Sequence, residues 1–365
     1  MCYITAVNEE KINAQAQMLA NRLQKRFRHL KKWSRVSAQK TGAGAFRLYD
    51  RDIPEIPLVL DFYGDNANPQ EAALCGALYK RPYEKDEADE AFWLSVMKDS
   101  IAAALDIKPE HIFMKQRQKQ KGELQYEKMS SVNAGSSAGL KRFEKIISEG
   151  GLSFKVNLSD YLDTGLFVDR RLLRAMIRNE SAGKKVLNLF SYTGSFSVYA
   201  AAGGAVSTDS IDLSNTYLDW ARENFELNGF SANIVKYYDD FFGKASCREN
   251  RLLKADVLDF LDRAIKARKR WDIIILDPPA FSNSKKMTDD FDLNRDLAGM
   301  LEKCLALLAT GGKIFLSVNL RRKAPTAAEL EAELKNTRIT DITGKITDED
   351  FKGRKIPKAF LIYYN

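Results

Sequence analysis

At 365 residues, with 45% hydrophobic and 29% charged residues, the chain is too long for one ordinary core and too apolar to be disordered, so two domains are expected. No run approaches the ~20 uninterrupted apolar residues of a membrane span, and the start, Met1-Cys2-Tyr3-Ile4-Thr5-Ala6, lacks a basic-then-apolar leader, which predicts a cytoplasmic protein. Four scattered cysteines (Cys2, Cys75, Cys247, Cys304), two histidines (His29, His111) and a net charge of +8 argue against a metal centre, a disulfide framework and histidine catalysis, and point to an acidic partner.

From Asn8, read as an N-cap, the spacing of Ile12, Leu19, Leu23, Phe27 and Leu30 predicts a helix. Its other faces carry Arg22, Lys25, Arg26, Arg28, Lys31, Lys32 and Arg35, which read equally as a solvated surface or as phosphate contacts. Apolar runs at 46–49, 58–63 and 72–79 predict strands; a helix over 86–105 and a strand over 111–115 complete a small α+β unit. Next, Lys115-Gln116-Arg117-Gln118-Lys119-Gln120-Lys121-Gly122 alternates cations with glutamine and leaves no apolar face to bury, which favours a solvated arm on RNA. Residues 129–150, rich in Ser, Gly and Lys, read as a linker between a domain over 1–128 and a second over 151–365.

The second half alternates strands (185–190, 207–213, 251–255, 271–276, 313–318) with helices (ending near 202, then 214–228, 257–266 and 296–308). Such alternation predicts an α/β fold with a parallel sheet covered on both faces, and places chemistry at the carboxyl ends of the strands. The first strand ends in Phe190-Ser191-Tyr192-Thr193-Gly194, where Gly194 permits close approach to the backbone or merely makes a tight turn. Asp212, eighteen residues beyond Gly194, is placed to accept from both hydroxyls of a ribose. Asp256 after the third strand reads equally as a contact to an adenine amine or as a helix N-cap. The strongest signal is Asp277-Pro278-Pro279-Ala280-Phe281: two prolines stiffen the turn beyond a buried strand, hold Asp277 in the cleft, and are followed by an aromatic that can stack on a base.

Together these strand ends resemble motifs I to IV of class I S-adenosylmethionine-dependent methyltransferases. With Asp163-Thr164-Gly165-Leu166-Phe167-Val168-Asp169-Arg170-Arg171, the 277–287 stretch, Phe291-Asp292, the N-terminal helix and the 117–122 run, most of the chain resembles the RlmK-type 23S rRNA guanine-N7 methyltransferases, which form one half of the bacterial RlmKL fusion. The resemblance implies a Rossmann-like catalytic domain, preceded by a β-hairpin and a smaller N-terminal α+β domain. It also implies S-adenosylmethionine as cofactor, and 23S rRNA or its precursor particle as partner. It would put Phe190, Ser191, Tyr192, Thr193 and Gly194 along the methionine and ribose, Asp212 with Leu213 on the ribose hydroxyls, and Asp256 with Val257 at the adenine. Phe167, Asp169 and Arg170 would close the site, with Asp277, Pro278, Pro279 and Phe281 at the reacting base. RNA would meet Arg22, Lys25, Arg26, Lys32, Lys115, Arg117, Lys119, Lys121 and Arg321. Two departures stand out: the 234–250 segment is longer than the corresponding family connection, and nothing matches the RlmL half, which leaves a separate RlmL-like partner open.

Guanine N7 is a bare lone pair, so its methylation needs no proton acceptor, in keeping with the scarcity of histidine. Cytosine-C5 methylation would need a cysteine nucleophile, absent from both 277–287 and 316–321, while Cys304 sits on an apolar helical face. Guanine-N2 methylation is a further alternative, and a non-catalytic RNA-binding or remodelling protein that kept the fold is one of another class.

Overall fold

Ala16, Leu19, Leu23 and Leu30 lie on one stripe of α1 (Cys2–Ala38) and are buried, with Ile12, Phe27 and Trp33 packed beside them. This apolar stripe, more than helix propensity, holds a 37-residue helix on its sheet. The helix begins well before Asn8, which therefore lies inside it and does not cap it. The computed structural model describes residues 2–38, 43–64, 71–79, 86–116, 142–243, 249–282, 291–320 and 324–364. Arg117, Lys119, Lys121 and Arg321 lie outside them.

The chain divides into two units: Met1–Gly151 with Val156–Thr164 and Glu349–Arg354, and Leu152–Lys155 with Gly165–Asp348 and Lys355–Asn365. In the first, β1 (Ala45–Asp50), β2 (Leu58–Tyr63) and β3 (Ala73–Leu78) pair antiparallel, α2 (Glu87–Leu105) crosses over, and β4 (Ile112–Gln116) joins β3 in parallel. Asp86 caps α2 by accepting from the N–H groups of Ala88 and Asp89. Trp93, Met97, Ile101 and Leu105 recur every fourth residue along its buried face, and Trp93 Nε1 donates to Gln15 Oε1 of α1 at 2.7 Å.

The basic surface of this unit differs from the expectation. Lys115 is buried, and its ammonium donates to the carbonyls of Tyr161 (2.5 Å) and Leu162 (3.3 Å), so it is no RNA contact: a lysine amid glutamines was drawn inward to satisfy backbone oxygens. Arg22 pairs with Asp52 at 2.6 Å and the half-buried Arg26 donates to the Asp350 carbonyl at 3.3 Å, whereas Lys25, Arg28 and Lys32 are exposed. Asp350 is fully buried and accepts from the Arg47 N–H at 2.9 Å, which fixes the distant 349–354 segment within this unit.

Within the stretch expected as linker, β5 (Glu144–Glu149) is a strand that pairs with β6 (Leu152–Asn157). Gly150 and Gly151, at φ +62° and +75°, supply the two left-handed residues a tight hairpin turn requires.

The second unit continues with α3 (Arg171–Glu180), β7 (Lys185–Leu189), α4 (Ser195–Ala202), β8 (Ser207–Asp212), α5 (Asn215–Glu226), β9 (Asn233–Val235), α6 (Tyr238–Phe242), β10 (Asn250–Lys254), α7 (Val257–Lys266) and β11 (Trp271–Leu276). A short β12 (Phe281–Ser282) and β13 (Phe291–Asp292) pair antiparallel; then come α8 (Leu293–Ala306), β14 (Leu308–Val318), α9 (Ala327–Glu333), β15 (Thr337–Asp341), α10 (Thr343–Ile346) and β16 (Lys358–Tyr364). The eight-stranded sheet runs β15-β16-β14-β11-β7-β8-β10-β9, parallel from β14 through β9, with β16 and β15 antiparallel at one edge. This is the α/β class that the alternation predicts. The order reverses beside β7, between the branch to β8 and the later return at β11, which opens a crevice at the strand ends.

Part of the segment expected to be long, 234–250, forms α6, where Phe242 stacks on Phe260 of α7 and the Tyr238 hydroxyl donates to Asp259 at 2.8 Å. On α5, Trp220 and Asn224 lie four residues apart, with Asn228 four beyond, and all three hold the backbone of β6. Trp220 Nε1 donates to the Lys155 carbonyl, Asn224 Oδ1 accepts from the Lys155 N–H, and Asn228 both accepts from and donates to Ser153. Asn224 Nδ2 also donates to the Thr193 carbonyl at 2.9 Å. Asn224→Ala, at a fully buried position, strands one donor and one acceptor and should cost about 3 kcal/mol. A shift of the urea midpoint at constant slope is the measurement that checks it.

Candidate active site

Leaving β7, the chain enters left-handed backbone three times in five residues: Phe190 at φ +55°, Tyr192 at +50° and Gly194 at +71°. For the two aromatic residues this costs about 1–2 kcal/mol each, so the surroundings must enforce it. They do so through hydrogen bonds. Ser191 N–H donates to Ile211 O (3.0 Å), Tyr192 N–H to Asp212 Oδ2 (2.8 Å), Gly194 N–H to Ser191 O (2.9 Å), and Thr193 Oγ1 to Gly165 O (2.6 Å). A Cβ on Gly194 would meet Ala221 Cβ at 2.8 Å, and one on Gly165, at φ +97°, would meet the Trp220 ring at 2.2 Å. The turn is thus pressed onto α5 with no side chain between.

Asp212 ends β8 with its Oδ1 accepting from the Ser214 N–H (2.9 Å) and its Oδ2 from Tyr192. Burial pushes its carboxyl up to about 6, against the opposing pull of the Ser214, Tyr192 and Leu213 N–H groups. Since the folded value lies above the ordinary 3.8, this group favours folding most below pH 4 and loses that contribution as pH rises through about 6. Among the described residues the buried Ser191 hydroxyl has no hydrogen-bond partner.

At the end of β11, Asp277 faces Arg170, which belongs to a 3₁₀ turn (Val168–Arg170) before α3. Arg170 Nε donates to Asp277 Oδ2 and Nη2 to Oδ1, both at 3.0 Å, while Nη1 donates to Asp169 Oδ2 at 2.9 Å. Burial works against the Arg170 charge, but Asp169 and Asp277 outweigh it and hold the guanidinium above its usual range. The sequence places Asp277 in the cleft as an acceptor; in the structure each of its oxygens accepts one bond from Arg170, as each Asp212 oxygen accepts one from a backbone N–H. Pro278 is buried and Pro279 half-buried behind it.

Aromatic groups line the approach. Phe167 is 42% exposed and lies 5.3 Å from the Tyr192 ring, which meets Tyr217 edge-on at 4.5 Å. Phe281, on β12, is 47% exposed. Asp256 caps α7, its Oδ1 accepting from the N–H groups of Leu258 (2.9 Å) and Asp259 (3.1 Å), and Val257 is buried in the core. Cys304 is fully buried on α8 and its thiol is pushed up to about 12 by burial, which suits a core residue and not a nucleophile. Thr193 links the turn to Gly165, which the sequence shows only as part of the 163–171 stretch, and to Asn224, which does not stand out there; the one signal for Asn224 is a polar residue on the helical spacing of buried Trp220.

The strand ends therefore offer an ordered set: a rigid turn free of side-chain bulk at Gly194, an unpartnered buried hydroxyl at Ser191, and a carboxylate at Asp212 within one chain segment of both. These fit the ribose and amino-acid portions of a nucleoside-type ligand.

Comparison with known proteins agrees with that chemistry. The S-adenosylmethionine-dependent methyltransferase family matches residues 114–336. The chain is 40% identical to ribosomal RNA large subunit methyltransferase K of Neisseria meningitidis serogroup B, over 94% of this chain and 86% of that protein. It is 39% identical to ribosomal RNA large subunit methyltransferase K/L of Pseudomonas fluorescens, over 98% of this chain but 42% of that longer protein. Among solved structures, a methyltransferase complexed with SAH superposes with a TM-score of 0.66 at 23% identity, over 94% of this chain and 81% of that one. A SAM-dependent methyltransferase from Streptococcus mutans gives 0.63 at 22%, over 95% and 81%. These two share the fold.

Gly151 and Gly194 separate strain from crowding, because Gly151 also has positive φ but nothing lies within 4 Å of the place a Cβ would take there. Gly151→Ala should cost about 1 kcal/mol from left-handed strain alone. Gly194→Ala should cost clearly more, because Ala221 or the turn must move; equal losses in denaturant titrations would mean that the turn is not held against α5.

Proposed function

Since the chain belongs to the S-adenosylmethionine-dependent methyltransferase family, in its ribosomal RNA large subunit methyltransferase K branch, we propose that it methylates N7 of a guanine in 23S rRNA. The observation that carries the atom assignment is the bidentate Arg170–Asp277 pair: the carboxylate at the end of β11 is already held at both oxygens, which supports a nucleophile that has no proton to lose.

When bound, S-adenosylmethionine supplies an electrophilic methyl group on a positively charged sulfur. Asp212 accepts from the ribose hydroxyls, the Ser191 hydroxyl and the turn around Gly194 receive the amino-acid portion, and Asp256 with Val257 borders the adenine. Asp277-Pro278-Pro279 fixes the wall of the cleft and Phe281 stacks on the guanine. Catalysis is then mainly alignment. Cytosine-C5 chemistry is disfavoured by the burial of Cys304. In A-form RNA the major groove is too deep and narrow for N7 to be reached, so the guanine must be unpaired or flipped. Exposed Lys25, Arg28 and Lys32 on α1 make the N-terminal unit a reasonable RNA platform. The K/L relatives carry this region within longer proteins, which supports a separate L-type partner that opens the RNA. Action on rRNA implies a cytoplasmic location, and among the described residues no helix is long and apolar enough to cross a membrane.

The test is transfer of label from S-adenosylmethionine to unmodified 23S rRNA, naked and in precursor particles, followed by borohydride and aniline, which cleave at 7-methylguanine. Label with cleavage at one site is expected; label without cleavage would move the target to C5 or N2. The pH dependence of cofactor binding follows from Asp212: only the ionised carboxylate accepts from both hydroxyls, so affinity should fall as pH drops below about 6, by about tenfold per pH unit. Asp212→Asn should remove that dependence and weaken binding throughout, as calorimetry would read. Replacing Lys25 and Lys32 by alanine should lower the slope of log affinity against log salt for RNA by about two.

A further inference from the structure

We propose that Arg170 is a positioning residue, and that Asp169, Arg170 and Asp277 form a fixed cluster with one negative charge in excess that offsets the positive charge carried through methyl transfer. The inference rests on the methyl-transfer reading above. Arg170 stands between two carboxylates, and among the described residues it is the ion-pair partner of both: 3.0 Å to Asp277 and 2.9 Å to Asp169. The side chains are 7%, 16% and 23% exposed for Arg170, Asp277 and Asp169, so the cluster is poorly screened by water and its geometry is set by three hydrogen bonds.

The reaction needs that charge in that state. The N7 lone pair forms the N–CH3 bond while the S–CH3 bonding pair withdraws to sulfur; no proton is released, and the positive charge passes from the sulfonium to the purine. A mobile carboxylate that gained and lost protons would serve neither end of this transfer. The Asp277 carboxylate is clamped at both oxygens by Arg170, and Asp169 supplies the excess charge. Four other charged groups among the described residues nearby have partners of their own. Asp212 holds the Phe190–Gly194 turn, Asp256 caps α7, Arg171 pairs with Asp348 at 2.8 Å, and Arg174 donates to the Phe167 carbonyl at 3.0 Å.

Binding measurements test this without RNA. Calorimetry with S-adenosylmethionine, which is charged at sulfur, and S-adenosylhomocysteine, which is not, compares wild type with Asp169→Asn, Arg170→Gln and Arg170→Lys. Asp169→Asn neutralises the cluster and should cut the preference for the sulfonium over the thioether about tenfold, read as the ratio of the two affinities within the variant, with far-ultraviolet circular dichroism reporting an intact fold. Arg170→Gln removes the cation that both carboxylates share and should move the sulfonium-to-thioether ratio away from wild type, whereas Arg170→Lys keeps the charge and should hold the ratio near wild type. An unchanged ratio in Asp169→Asn, or a ratio in Arg170→Lys as far from wild type as that in Arg170→Gln, overturns the proposal. If Arg170→Gln does not fold, Asp169→Asn decides alone, since it leaves the Arg170–Asp277 pair in place. Absence of 7-methylguanine in the rRNA assay would overturn the substrate reading and leave this test standing.

Discussion

The second unit is organised around a strained turn. Three left-handed residues after β7 turn the chain back so that the N–H groups of residues 191, 192 and 194 are held by β8 and by the turn itself, not released to solvent. Everything that meets this turn has a matching constraint: Asp212 must sit at the end of the neighbouring strand, Ala221 must be small where Gly194 arrives, and Asn224 must point from α5 to take the Thr193 carbonyl. The strain is therefore offset by the packing of β8 and α5, the arrangement in which a preformed site costs least to occupy.

Charge is handled differently in the two units. In the first, Arg22, Arg47 and Arg354 pair with Asp52, Asp61 and Asp50, so many of the cations that raise the net charge are locally balanced. Lys25 and Lys32 of α1, by contrast, are exposed. In the second unit Asp209, deep in β8, is matched by Arg251 at 2.8 Å and by the Trp271 indole at 2.8 Å. At Asp277, as at Arg47, one guanidinium serves two carboxylates, and among the described residues the Arg170 cluster lies at the strand ends.

Legibility in the sequence followed the strength of local pattern. The strand over 271–276 and the helix over 257–266 appear with the limits their periodicity predicts, because each is bounded by its own cap or polar break and is apolar throughout on its buried side. The strand at 144–149 was hidden, since Glu144-Lys145-Ile146-Ile147-Ser148-Glu149 shows no apolar alternation, its inward side being Ile147 and a buried glutamate, and the Ser- and Gly-rich stretch before it dominates the composition. Lys115 misled for the opposite reason: the residues that follow it in sequence are polar, but its partners are carbonyls 46 and 47 residues away.

The sequence by itself determined the class of fold and the series of strand-end residues, because β-α alternation and the carboxylates after successive strands are short-range features that survive any detail of packing. Its two histidines also turned the expectation away from histidine catalysis. Only the tertiary structure decided what each of those residues is free to do. Arg170 and Asp277 are 107 residues apart, and whether a carboxylate faces a ligand or an arginine depends on distances of about 3 Å that no local pattern encodes. The same holds for Gly194: its neighbour across the turn is Ala221, on another helix, and that contact makes the absence of a side chain obligatory.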